Sequence, residues 1–178
     1  MQCKFMVFAA AAALFIPGAV AATEKPVPEG LVCPAEAAGA ELISTALAST
    51  EQGVSGLCVY YLYDEADPDR SVTMTLRVGT AQYDPAISFK APKIELGGMT
   101  LVAEATRPIP FAGRTAPATI IVLSGKEADL GEITEVFDTL TVFRLEGGRT
   151  VSLEEEYTNL SADMRQALRE ALLAAQKG

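Results

Sequence analysis

The sequence predicts an α+β fold, a mainly antiparallel sheet with helices packed on one face, behind a signal peptide that is cleaved. Three observations carry this. Strand-like runs follow one another along the chain and are not interleaved with helices. Ser71 to Val78 alternates cleanly, with Val72, Met74, Leu76 and Val78 on one side and Ser71, Thr73, Thr75 and Arg77 on the other. The C-terminal segment from Ser161 to Gln176 carries Leu160, Met164, Ala167, Leu168, Ala171, Leu172 and Ala175 on one helical face, with Ser161 as N-cap.

Lys4 precedes Phe5 to Ile16, an unbroken apolar run, and Pro17-Gly18 and Ala19-Val20-Ala21-Ala22 follow it. These are the zones of a secretory signal peptide over 1–22, cut after Ala21 or Ala22. The run is too short to span a bilayer, which needs roughly 20 apolar residues. Residues 23–32 read as a flexible leader with two prolines, and 33–178 as a single domain. Pro34 and the Ala-, Leu- and Glu-rich stretch from Ala35 to Ala48 predict a helix. Leu57 to Tyr63 predicts a buried strand, with Val59, Tyr61 and Tyr63 on one face and packed in the core. The acidic loop from Asp64 to Arg70 makes a hairpin of it with the Ser71–Val78 strand.

Residues 79–98 are ambiguous, with Ile87-Ser88-Phe89 and Ile94-Glu95-Leu96 as short strand candidates. Met99 to Ala105 and Ala118 to Leu123 are further strand candidates. Between them, Pro108, Pro110, Gly113 and Pro117 make 106–117 a long surface loop or an edge. Ser124-Gly125-Lys126-Glu127 fits a capping box, and Leu130, Ile133, Phe137 and Leu140 follow at helical spacing, so a helix is expected over 126–138. Gly147-Gly148 then predicts a two-residue hairpin turn that sets Val142 opposite Leu153 and Arg144 opposite Val151.

Composition bounds the function. Export removes Cys3 and leaves Cys33 and Cys58, which pair in an oxidising compartment. Neither belongs to a C-x-x-C motif. The chain has no His and no Trp, so Ser-His-Asp triads, Cys-His dyads and His-ligated metal sites are excluded within it. Its net charge is −9, and the mature chain keeps 13 basic against 23 acidic residues. Such a surface repels nucleic acid.

The leading expectation is a periplasmic or secreted, non-enzymatic domain without a cofactor, not stably inserted in a membrane once cleaved, that binds a protein partner or a small ligand. The expected contact residues are Phe111 and Arg114 in the Pro-rich segment and Tyr60 on the tyrosine strand, together with the sheet face that no helix covers. One alternative is a carboxylate-dependent hydrolase, with Glu154-Glu155-Glu156 as the acidic source. A second is a calcium-dependent module built on Asp64, Glu65, Asp67 and Asp69, although Pro68 interrupts the ligand spacing. Ser124-Gly125-Lys126 lacks the remainder of a phosphate-binding loop.

Overall fold

The computed structural model describes residues 28–47, 53–129, 132–158 and 160–177. The expected signal peptide and the first part of the leader lie outside the described residues. The strands are β1 (Glu36–Ala37), β2 (Ala40–Ala46), β3 (Val54–Asp64), β4 (Asp67–Gly79), β5 (Thr100–Phe111), β6 (Arg114–Asp129), β7 (Glu132–Arg144) and β8 (Thr150–Thr158). The helix α1 (Pro85–Glu95) lies between β4 and β5, and α2 (Ala162–Ala174) follows β8. All eight strands join one sheet in the order β1-β2-β3-β4-β8-β7-β6-β5, and every neighbouring pair is antiparallel. The fold is thus α+β and mainly antiparallel. It is two four-stranded meanders joined through β4 and β8, with α1 crossing from the centre of the sheet to its β5 edge.

The helices do not share a face. On β7, Phe143 belongs to the core that holds Leu168, Leu172 and Leu173 of α2. Its neighbour Val142, with Leu140, packs with Phe89 of α1. Adjacent strand residues point to opposite sides, so α2 covers one face and α1 the other. The larger core, on the α2 side, takes Cys58, Tyr60 and Leu62 from β3, the alternate residues Val72 to Val78 from β4, and Val151 and Leu153 from β8. Within it Phe111 stacks on Phe143 at 4.3 Å between ring centroids. The predicted alternation of β4 and the predicted C-terminal helix are both present; the Ser161 side chain accepts from the Met164 N–H at 3.3 Å.

The Cys33–Cys58 disulfide is present, with the Cα atoms 6.2 Å apart across 25 residues. It ties the chain's entry to β3 and stabilises by about 3.5 kcal/mol on the loop-entropy argument. The described end of the expected leader, residues 28–32, makes contacts with the domain through Pro28, Leu31 and Val32. Pro28 and Leu31 are buried. The Val32 N–H donates to Gln176 Oε1 at 3.0 Å, and Gln176 Nε2 donates to the Val32 carbonyl at 2.8 Å. Gly56 leaves room for this approach, since a Cβ there would run into the Pro28 ring.

The structure differs from several local expectations. The Ala-rich 35–48 segment is not a helix over its described part. Ala38 (φ 48°) and Gly39 (φ 83°) turn β1 into β2, which pairs with β3. Sheet pairing and the adjacent cross-link outweigh the helix propensity of alanine, worth at most a few tenths of a kcal/mol per residue over ordinary residues. For the 106–117 segment, read as a surface loop or an edge, the edge reading holds, with β5 outermost in the sheet. The segment is a hairpin of β5 and β6, turned by Ala112 (φ 52°) and Gly113 (φ 72°). Its prolines are tolerated because β5 is an edge strand and because the β6–β7 ladder begins only at Thr119, beyond Pro117.

Over its described residues the 126–138 segment is strand, not helix. β6 runs through the apparent capping box and β7 pairs with it in register. Residues 79–98 hold α1 in place of the short strand candidates at 87–89 and 94–96. Asp84 caps it by accepting from the Ala86 and Ile87 N–H groups at 3.0 and 3.4 Å, and Pro85 stands at its first turn. The β7–β8 connection also differs by one residue. Val142 faces Ser152 and Arg144 faces Thr150, because a single 3-10 turn, Glu146–Gly148, replaces the two-residue turn. One residue of slip exchanges the faces.

Candidate functional site

Two features of different character stand out, one under α1 and one at the end of β3. Under α1 lies a charged network. Consecutive glutamates on β8 point alternately, so Glu154 and Glu156 face α1 while Glu155 faces α2. Lys93 of α1 places its Nζ 2.6 Å from Asp138, 2.6 Å from Glu156 and 3.2 Å from Glu154. Glu154 also accepts from Arg77 at 2.5 Å. Burial works against the Lys93 ammonium, but hydrogen bonds to Asp138 and Glu156 and the charge of Glu154 override it and hold its pKa above the ordinary lysine value. Burial, with the charge of Glu156, raises the Asp138 carboxyl above its usual value against the opposing pull of Lys93. Burial pushes Glu156 the same way, but Lys93, Glu154 and Arg77 outweigh it and hold Glu156 below its usual value.

Beside this network lies a cleft of about 200 Å³ lined by Arg77, Tyr83, Ser88, Phe89 and Glu154 among others. Burial raises the Tyr83 hydroxyl. The arrangement pins α1 to the sheet. A hydrolytic pair needs a gap between its carboxylates for the scissile bond and water; here the Lys93 ammonium occupies the space between Asp138 and Glu156.

The second feature is a groove of about 470 Å³ where β3 ends. It is lined by the β1–β2 turn at Ala38 and Gly39, by Glu41 and Ile43 of β2, by Tyr61 to Asp64 of β3, by Glu65 and by Met164 of α2. The β2–β3 ladder stops at Glu41 opposite Tyr61, so β3 projects three residues beyond its neighbour. Tyr61 and Tyr63 stand on the side away from the core with 37% and 48% of their surface exposed, and their ring centroids are 6.1 Å apart. Ile43 is also exposed.

The expected site residues separate. Tyr60 is fully buried and donates its hydroxyl to the Pro34 carbonyl at 3.1 Å; burial pushes its pKa up to about 12. Phe111 is likewise fully buried against Phe143. Neither offers the surface a contact residue requires. Arg114 lies at the β5–β6 turn and lines a separate groove of about 240 Å³ with Phe143, Arg144 and Glu146. The acidic hairpin tip uses Asp64 to accept the Ala66 N–H at 2.9 Å and pairs Asp67 with Arg70 at 3.0 Å. Among the described residues no three acidic or Cys side chains gather as metal ligands.

Tyr61 and Tyr63 were expected inside; they are outside, and this is a correction with a local cause. Cys58 must point inward to reach Cys33, so Tyr60 and Leu62 point inward too and Val59, Tyr61 and Tyr63 point out. The parity of Cys58 was the signal available in the sequence. Compared with protein-family models, curated proteins and solved structures, the chain gives no match.

Proposed function

We propose that this chain is an exported, non-enzymatic domain that binds a protein partner through the groove at the end of β3. The observation that carries the reading is the pair Tyr61 and Tyr63, neighbouring aromatic rings left exposed beside a groove of about 470 Å³. Tyrosine is enriched where proteins meet, because a rigid ring contributes large contact area and a polar tip at low entropic cost. Export to the periplasm or medium is supported by the N-terminal apolar run and is compatible with the disulfide. No helix among the described residues is long and apolar enough to cross a membrane.

The test places a photo-crosslinking amino acid at position 63 of the chain in its native host, and separately at position 114. The expected result is a discrete protein adduct from position 63 that disappears when Tyr61→Ala is added. An adduct from position 114 alone would move the contact surface to the Arg114 groove and overturn this reading.

A further inference from the structure

We infer that the groove at the end of β3 receives an arginine or lysine side chain from an extended segment of the partner protein. The inference rests on the proposed binding role and adds the chemistry of what is bound. Three acidic residues, Glu41, Asp64 and Glu65, line the groove, and among the described residues no Lys or Arg lines it. None of the three forms an ion pair among the described ones, whereas Asp67 nearby is already paired with Arg70. Asp64 spends one oxygen on the Ala66 N–H, and an ionised carboxylate keeps further acceptor sites.

The rest of the lining suits the same occupant. A cation is attracted to the face of a tyrosine ring within about 6 Å of its centroid, and Tyr61 and Tyr63 present two such rings, tilted 31° to one another. Lysine and arginine carry apolar stems beneath their charged heads. Ile43, Leu62, Met164 and the small Ala38-Gly39 turn supply apolar surface for a stem. The volume, about 470 Å³, lies within the range of ordinary ligand sites. The overrun of β3 beyond β2 offers an extended peptide main chain a place beside a strand end.

Charge argues against a second copy as the occupant. The chain carries −9 overall, so a copy brings like charge to an acidic rim, while a basic segment is drawn toward it. The network under α1 does not compete for the same partner, because its carboxylates already hold Lys93 and Arg77.

The experiment titrates the isotope-labelled mature protein, disulfide intact, with a short acetylated and amidated peptide carrying two arginines in a Gly-Ser frame. Its lysine twin and its uncharged citrulline twin are titrated in parallel, and binding is read by NMR. Shifts are expected at Tyr61, Tyr63, Glu41 and Ile43 with the arginine and lysine peptides, and affinity falls as salt rises. Tyr63→Leu should weaken binding about tenfold, while Tyr63→Phe, which keeps the ring face, should stay within about twofold of the parent. Glu41→Gln should weaken it by a few-fold.

Equal binding of the citrulline twin would overturn the cation inference and leave peptide docking in the groove standing. Shifts confined to the Asp67–Asp69 tip and indifferent to Tyr63→Leu would also overturn it, since acidity alone would then explain the binding. No shift with any peptide, alongside a successful crosslink at position 63, would mean that the partner docks by other chemistry. Unchanged melting of each variant excludes misfolding as the cause, because these positions are exposed or half-exposed.

Discussion

Arg169→Met should cost about 3 kcal/mol of folding stability. Glu155 on β8 is fully buried on the α2 face. Its two oxygens accept from Arg169 Nε at 2.5 Å and Nη2 at 2.9 Å, a fork on a carboxylate. The hydrogen bond to Glu155 outweighs burial and raises the Arg169 pKa above its usual value. Methionine keeps most of the stem's packing and removes the charge, which strands Glu155 in the interior. Breaking a buried pair in this way costs about 3–5 kcal/mol. The Arg169 side chain is 31% exposed, which puts the effect at the lower end. Against a total stability of about 5–15 kcal/mol that is a large fraction.

The double variant Glu155→Leu, Arg169→Met removes both charges, so it should recover most of the loss and lie within about 1.5 kcal/mol of the parent. The assay is urea unfolding of the disulfide-intact domain at neutral pH, read as a double-mutant cycle. If Arg169→Met costs less than about 1 kcal/mol, or if the double variant is as unstable as the single one, then α2 is held by its leucines alone and the reasoning fails.

Three further outcomes follow from the geometry. Ala112→Gly should stabilise by about 0.5–1 kcal/mol, seen as a higher melting temperature, because it relieves a left-handed alanine (φ 52°) at a cost of about 0.5–1 kcal/mol in glycine entropy, less than the strain of about 1–2. Thiol counting on the unfolded, unreduced mature chain should find no free thiol, and Cys33→Ser with Cys58→Ser should lower stability by about 2–5 kcal/mol in urea. Acid titration of stability should show opposed limbs. Asp138, raised above 3.8, penalises the fold at neutral pH and releases that penalty as pH falls through its folded value. Glu156, lowered below 4.5, stabilises the fold above 4.5 and loses this as pH falls through its folded value. Lys93→Met should abolish the second limb, and a monotonic parent profile would contradict the assignment.

What was legible in the sequence follows from which residues carry a single demand. Val72 to Val78 face one core and their neighbours face away, so β4 shows period two without interruption. The C-terminal helix also has one buried side and a serine cap, and it was readable for that reason. β7 answers two cores and a helix. Its α1-side residues include Asp138 beside Leu140 and Val142, because Lys93 requires a carboxylate there, and Thr139 and Thr141 fall on the other side. The mixture hides the alternation, and the chance spacing of Ile133, Phe137 and Leu140 imitates a helix. α1 was obscured by Pro92 within it, although Asp84-Pro85 marks its start. The contact residues were misplaced for a parity reason: Tyr60 was set outside and Tyr61 and Tyr63 inside, when the cross-linked Cys58 fixes the reverse.

Strands β3 and β4, on the α1 face, supply the remaining argument for a contact role. β3 and β4 are neighbours, and α1, carried across from β4 to β5 and packed on β7, sits toward the other half of the sheet. On the uncovered half β4 places Ser71, Thr73 and Thr75, residues suited to water. Directly opposite them β3 places Tyr63, Tyr61 and Val59. Strand propensity does not demand this, because threonine forms strands as well as valine or tyrosine does. Burial does not demand it either, since Tyr61 and Tyr63 remain exposed. Two strands in the same sheet, with the same environment on that side, thus carry opposite chemistry. The β4 pattern is what a solvent face of this protein looks like, and the departure on β3 is concentrated where its end meets the groove.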